Sequence, residues 1–286
     1  MIPAAFDYVR AGSVDEALQL VAKPGHKFIA GGQSLLPLMK LRLARPETLV
    51  DIGGLAELRG VRELSDGRLE VGALTTYAEL MESPANQYGV LRDALPDIGD
   101  VQVRNRGTVG GSVAHCDPAS DLPACLLALE AELVIRSGGG EQTTSCSGFF
   151  QGAFTTSLGP GDLLTAFRLP APRDDAGSAY VSLPQPASGY SMVGVAAVVM
   201  RSQAGGPIDD VKVALTGVAD APYRASAVED ALMGSDGSAE AISAAAAHAT
   251  DGVSVNSDIH ADAAYRSAMA AVYTRRAIEA ALGRIA

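Results

Sequence analysis

The sequence predicts a mixed helix-and-strand chain of two domains. The first, residues 1–172, consists of two α/β units divided near residue 55, and the second, residues 173–286, is built of buried strands and helices. Three observations carry this reading. The 286 residues exceed the ~150 of an ordinary domain. Two glycine turns, Ala30-Gly31-Gly32-Gln33-Ser34-Leu35 and Thr108-Val109-Gly110-Gly111-Ser112, each follow a segment that reads as extended and precede one that reads as helical. Pro170, Pro172, Asp174, Asp175 and Gly177 then form a linker-like passage, beyond which apolar strands take over.

In order along the chain, Ser13 is placed to cap a helix with Val14, Ala17, Leu18 and Val21 on one face. Glu16 stands where a capping box needs its acid, and Pro24-Gly25 ends the helix. Residues 27–30 read as a short strand, residues 35–43 as a helix with a leucine-rich face, and residues 49–52 as a returning strand. After Gly53-Gly54, residues 68–73 read as strand and Thr76 as the cap of a helix over 77–81. Residues 93–99 close another helix, and residues 101–104 lead through Asn105-Arg106-Gly107 into the second turn. Residues 124–129 read as a helix running toward a strand over 132–135, and residues 137–140 as a loop.

In the second domain Pro184-Gln185-Pro186 interrupts pairing, and residues 192–200 and 211–218 read as buried strands, the first a continuous apolar run. Residues 238–248 form an alanine-rich helix. Residues 260–282 form a longer one, with Tyr265, Met269, Val272 and Tyr273 at helical spacing as its packing face.

Composition excludes several functions. The 48% hydrophobic content is that of a protein with a core, but Lys plus Arg number 22 against 33 Asp plus Glu. The formal net charge of -11 repels polyanions, and no basic patch interleaved with aromatics offsets it, so nucleic acid is not an expected partner. No apolar run approaches the ~20 residues of a bilayer span, and residues 1–8 lack a signal core, which points to the cytoplasm. Cys116, Cys125 and Cys146 are an odd number at spacings that match no metal pattern, and His26, His115, His248 and His260 form no HExxH arrangement. A redox cofactor, if this chain has one, is therefore organic.

Each glycine turn is able to direct a row of bare backbone N–H groups at an anion. Both contain a hydroxyl residue and neither contains lysine, which suits a dinucleotide whose diphosphate is held by main chain. A simple tight connection is the alternative for the first turn. GxGxxG would need glycine at position 33 and a P-loop would need Gly-Lys, so neither pattern applies. Asp121 either caps the helix after it or accepts from ribose hydroxyls. His115 and Cys116 read as packing or surface residues, and Tyr190 as a strand-end aromatic.

Residues 30–40, residues 104–115 with Asp117-Pro118 and Asp121, and Ser257-Asp258-Ile259-His260 with Tyr265-Arg266 together resemble the FAD-binding medium subunit of heterotrimeric molybdenum hydroxylases. The carbon monoxide, quinoline, nicotine and caffeine enzymes have such subunits. The resemblance spans the whole chain. It implies an α+β fold, with a PCMH-type (vanillyl-alcohol-oxidase-like) FAD domain of two α/β subdomains and a C-terminal domain of antiparallel sheet and helices.

FAD is then expected between the two N-terminal subdomains. Ile29, Ala30, Gly31, Gly32, Gln33, Ser34, Leu35 and Leu36 would wrap its diphosphate. Thr108, Val109, Gly110, Gly111 and Ser112 would supply further phosphate and ribityl contacts, with Asp121 on the adenosine side. Ile98, Val103 and Leu164 would be apolar contacts, and Tyr190 would pack against the isoalloxazine. Where relatives carry a basic residue before that tyrosine this chain has Ser182, and Pro184-Gln185-Pro186 replaces a basic run, which leaves the loop and the flavin potential open.

The implied role is electron transfer. A large subunit would hold the molybdenum cofactor, a small subunit two two-iron two-sulfur clusters, and FAD here would pass electrons to an external acceptor, in a possible dimer of heterotrimers. No acid–base residue is required of this chain. A stand-alone flavin oxidase or reductase of the same fold, and a noncatalytic nucleotide-binding module, are the alternatives.

Overall fold

The computed structural model of the chain describes residues 1–203 and 205–285. The first unit contains β1 (Asp7–Arg10), α1 (Val14–Val21), β2 (His26–Ile29), α2 (Leu35–Lys40) and β3 (Thr48–Asp51). Its three strands form a parallel sheet in the order β1-β3-β2, with Thr48 opposite both Asp7 and His26. Ser13 caps α1 as expected, its Oγ accepting from the Glu16 N–H at 3.1 Å. The Glu16 carboxylate reaches back to the Gly12 N–H at 2.7 Å, one residue before the box position.

Helix α2 is shorter than expected. Arg42 turns left-handed (φ 60°), and the N–H groups of Leu43 and Ala44 fold back onto the Leu38 carbonyl. Met39 is therefore the buried side chain, and the expected leucine face ends with Leu43 73% exposed.

The second unit runs β4 (Val61–Glu63), β5 (Leu69–Gly72), α3 (Tyr77–Met81), α4 (Gly89–Ala94), α5 (Val101–Arg104), α6 (Val109–His115), α7 (Asp121–Ala128), β6 (Glu132–Ser137), β7 (Gly140–Ser145), β8 (Phe150–Gly152), β9 (Thr155–Thr156) and β10 (Leu163–Leu169). Thr76 and Glu79 form a complete capping box on α3. Five strands make an antiparallel sheet in the order β4-β5-β10-β6-β7, and β8 and β9 form a separate ribbon. Residues 137–140 are the turn of the β6–β7 hairpin. Its second strand is polar and exposed, so hydropathy gives no sign of it.

The third unit contains β11 (Ala176–Pro184), β12 (Ser191–Met200), β13 (Asp210–Thr216), β14 (Tyr223–Arg224), α8 (Ser226–Leu232), α9 (Ala239–Ala246) and α10 (Ala263–Leu282). Its sheet is an antiparallel meander in chain order. Helix α10 lies so close to β11 that a Cβ on Gly177 would come within 2.0 Å of the Ala281 carbonyl oxygen. At that crossing, Gly177 against Ala281, only small side chains fit. The fully buried residues of α10 are Arg266, Ala270, Thr274, Ala277, Ile278 and Ala281; of the expected face Met269 and Tyr273 are partly buried against this unit's core, and Tyr265 points outward.

Every residue of α7 is buried, because the helix is packed by α4 and α6 of its own unit and by β12 and β13 of the third. The largest core runs without a break from Leu126, Leu133 and Phe167 to Tyr180, Ala196 and Ala214.

Candidate functional site

At the end of β2 the chain enters the first glycine turn. Gly32 is left-handed (φ 74°), a conformation costly to residues with a Cβ. The Gln33 side-chain amide donates to the Gly31 carbonyl at 3.1 Å and pins the turn. The N–H groups of Gly31, Gly32, Gln33, Ser34 and Leu35 find no acceptor among the described residues. Ser34 is the N-cap of α2, yet its hydroxyl makes no capping bond. Five consecutive main-chain donors and a free hydroxyl suit a diphosphate, which would satisfy groups that protein structures seldom leave idle.

The second turn differs from the bare row expected of it. The Val109 N–H donates to the Thr75 carbonyl and the Gly110 N–H to the Ala73 carbonyl, both at 2.9 Å, and the Ser112 N–H donates to the Thr108 carbonyl at 3.1 Å. The Gly111 N–H reaches the Thr108 hydroxyl at 3.3 Å. The cause is a bridge between Thr76 and Thr108 that lays the turn along residues 73–76.

Its two glycines therefore have separate tasks. A Cβ on buried Gly110 would lie 2.4 Å from the Ala73 Cβ, so that position is packing. At exposed Gly111 it would meet only the Thr108 hydroxyl at 2.7 Å, so that face is open.

The two turns touch. A Cβ on Gly31 would lie 2.1 Å from the Arg106 carbonyl oxygen and 3.0 Å from the Gly107 Cα. Glycine at 31 is thus dictated by the approach to the second turn, and the free N–H row of the first turn sits directly against it.

The remaining predicted residues divide. Ile98 is partly buried against the main core, and Val103 is partly buried beside Gly99. Leu164 is 4% exposed within the core and does not line an open surface. Asp121 is 7% exposed and occupied: it accepts from the Tyr180 hydroxyl and, at 2.6 Å, from the Ser191 hydroxyl. Burial pushes its carboxyl above the ordinary value, against the opposing pull of those two hydroxyls. Both hydroxyls bond one carboxylate oxygen, Oδ1, and so join α7 to the third unit.

That join continues nearby. The Thr216 hydroxyl donates to the carbonyls of Pro118 and Ser120, and the Gly217 N–H donates to Pro118. Tyr180, Ser191 and Thr216 carry no local signal in the sequence, since their partners lie 59 to 98 residues away.

Tyr190 is half exposed on the loop between β11 and β12. It borders a cleft of about 400 Å3 that is also lined by Asp117, Phe154, Gln185, His260 and Arg266. Burial raises its phenol, and Asp117 and Asp121 add to the shift. The loop that Pro184-Gln185-Pro186 left open is well formed. The Gln185 side-chain oxygen accepts from the N–H groups of Ala187 and Ser188, and the Gln185 N–H donates to the Tyr190 carbonyl. Cys116 is buried, and the His115 ring lies 5.0 Å from that of Phe154, with the imidazole pushed below its ordinary value chiefly by burial. Among the described residues no group of acidic, histidine or cysteine side chains is arranged to hold a metal, and no helix is long and apolar enough to cross a membrane.

Residues 4–172 match the family described as the FAD binding domain in molybdopterin dehydrogenase, and residues 178–281 the CO dehydrogenase flavoprotein C-terminal domain. The chain is 39% identical to the carbon monoxide dehydrogenase medium chain of Hydrogenophaga pseudoflava over the full length of both, and 34% identical to the glyceraldehyde dehydrogenase medium chain of Sulfolobus acidocaldarius over 98% of this chain and 99% of that one. Among solved structures, the H. pseudoflava carbon monoxide dehydrogenase lacking the Mo-pyranopterin moiety superposes with a TM-score of 0.95 at 40% identity, covering both chains fully. Quinoline 2-oxidoreductase from Pseudomonas putida 86 superposes with a TM-score of 0.92 at 32% identity, again over both whole chains. With both halves matched in order and the fold shared end to end, the chain belongs to the FAD-binding medium subunits of the molybdenum hydroxylases, and is an oxidoreductase subunit with the α+β fold of that family.

Proposed function

We propose that this chain holds FAD through the first glycine turn and carries electrons from an iron–sulfur subunit to an external acceptor. The observation that carries the reading is the set of five unpartnered N–H groups at Gly31 to Leu35. Bound FAD supplies redox chemistry that accepts electrons one or two at a time.

The protein's part is to bind and orient. The main-chain donors of the first turn hold the diphosphate, with the Ser34 hydroxyl beside them. Gly111 and Ser112 face the same ligand from the second turn, Ile98 and Val103 flank it, and Tyr190 lies against the flavin ring. Asp121 fixes the third unit in place and Leu164 supports the floor. Substrate chemistry belongs to a large subunit with the molybdenum cofactor, in a dimer of heterotrimers. The cytoplasm suits the three unpaired cysteines.

The test is reconstitution of the full purified chain. The chain is expected to take up FAD and become yellow, ADP to compete with FAD, and FMN, which lacks the diphosphate, to bind far more weakly. A chain that takes up FMN as well as FAD refutes the role of the N–H row. Dithionite is expected to bleach the bound flavin, whereas organic hydroxylase substrates leave it oxidised while no other subunit is present. Bleaching by such a substrate identifies a stand-alone enzyme instead.

A further inference from the structure

We propose that Arg266 is the positioning residue for Tyr190. Its side chain sets both walls of the cleft in which that ring stands, an inference that rests on the reading that Tyr190 lies against the flavin. Arg266 is 5% exposed at the start of α10. Its Nη1 donates to the Met192 carbonyl at 2.9 Å and the Gly217 carbonyl at 2.5 Å, its Nη2 pairs with the Asp258 carboxylate at 2.6 Å, and its Nε faces the Ala261 carbonyl at 3.4 Å.

These acceptors come from two places that share no secondary structure. Pairing between β12 and β13 stops at Gly194 and Thr216. Beyond it the carbonyls of Met192 and Gly217 are joined by one guanidinium nitrogen, which closes the open end of the strand pair. Gly217 is left-handed (φ 79°), and a Cβ there would lie 2.4 Å from the Ser191 carbonyl oxygen, so the turn is already seated against the strand that Tyr190 leads into. On the other side, the Asp258 carboxylate also accepts the N–H groups of His260 and Ala261 at 2.8 and 3.0 Å. The loop that brings His260 to the cleft is folded around the carboxylate that Arg266 holds.

Burying a guanidinium is costly unless its donors are met, and an apolar side chain of similar volume would pack α10 onto the sheet without that cost. What the planar fork provides is fixed geometry between the Tyr190 strand and the opposite loop. Lysine, a point charge whose three donors radiate from one nitrogen, does not reproduce it.

The test uses the FAD-loaded full chain and the emission of its bound flavin, which an aromatic ring in contact quenches. Wild type is compared with Tyr190→Leu, Arg266→Leu, Arg266→Lys and the Leu/Leu double variant, each first shown to be folded by its melting curve. Tyr190→Leu is expected to raise emission several-fold. Arg266→Leu and Arg266→Lys should recover at least half of that rise, and the double variant should add nothing to Tyr190→Leu, as required of residues acting through one contact.

Wild-type emission in folded Arg266→Leu, or additive effects in the double variant, overturns the proposal. Unchanged emission in Tyr190→Leu instead removes the contact between Tyr190 and the flavin and takes the proposal with it, while FAD binding itself still stands. If Arg266→Leu does not fold, Asp258→Asn decides: it keeps the carbonyl clamp but loses the charge, and is expected to give a smaller rise, with no rise counting against the proposal.

Discussion

Replacing Gly31 with alanine sets the first glycine turn against the second. The added Cβ would start 2.1 Å from the Arg106 carbonyl oxygen and 2.9 Å from its carbonyl carbon, and real Cβ atoms essentially never come closer than 3.0 Å. The turns must part by about 0.9 Å, from 2.1 Å to at least 3.0 Å, and both partners are backbone, so neither can rotate away. Overpacking of this kind costs about 1–3 kcal/mol. For a protein of this size that lowers the melting temperature by roughly 2–12 °C, at about 2–4 °C per kcal/mol.

The same displacement moves the free N–H row off its ligand. If it is paid in binding, FAD affinity falls by roughly 5- to 150-fold, at about 1.4 kcal/mol per factor of ten. Gly111→Ala is the control. Its Cβ would lie 2.7 Å from the Thr108 hydroxyl, so that the capping bond to residue 111 must shift, which offsets the about 1 kcal/mol a helix gains when alanine replaces glycine. The flavin-free variant should melt near the wild-type temperature and still bind FAD poorly, and Gly111→Val should abolish binding. Melting curves without flavin and fluorescence titration with FAD separate the cases. Wild-type melting of Gly31→Ala refutes the steric argument, and wild-type FAD affinity in Gly111→Val removes Gly111 from the site.

Three further outcomes are expected. Tyr180→Phe takes one of two hydroxyl donors from buried Asp121 and should lower stability by about 1–3 kcal/mol in chemical denaturation; an unchanged midpoint would show that the junction does not depend on it. Burial holds the Asp121 carboxyl above its ordinary value of 3.8, so the folded chain binds this proton more tightly than the unfolded one, and stability falls as pH rises through that interval. Wild type should therefore gain on Asp121→Asn as pH is lowered from neutrality toward 3.8, and a constant difference contradicts the assignment. Burial also raises the thiols of Cys116 and Cys125, and raises Cys146 to about 12, so a disulfide reagent at pH 8 should label none in the native chain and three after denaturation.

The sequence was most legible where structure is local. Ser13 and Thr76 cap the helices that follow them because an N-cap needs only neighbours, and the apolar run over 192–200 lies in β12. Strand β10 and the polar edge strand β7 escaped because a ladder partner decides them: β10 pairs with β5 and β6, and β7 only with β6. The face of α10 was legible in part: Met269 and Tyr273 pack against the core, but helical spacing alone did not show that the close crossing with β11 turns Ala277 and Ala281 fully inward and leaves Tyr265 exposed. In the site, both glycine turns were visible as motifs. Which of them keeps its donors free was not, because the bridge from Thr108 to Thr76 uses residues that a linear reading places in a different element.

Helix α7 has no wet side. The wall of helices in the second unit closes on one flank and the meander on the other, so the proline-rich crossing near residue 172 is a hinge in the text of the chain but not in the solid object. A fragment ending there would bare a strip of leucine and alanine meant for β12 and β13, and a tail beginning there would bare the matching sheet. Halves of this subunit made separately are therefore expected to clump until they meet, and one long polypeptide spares the cell that hazard.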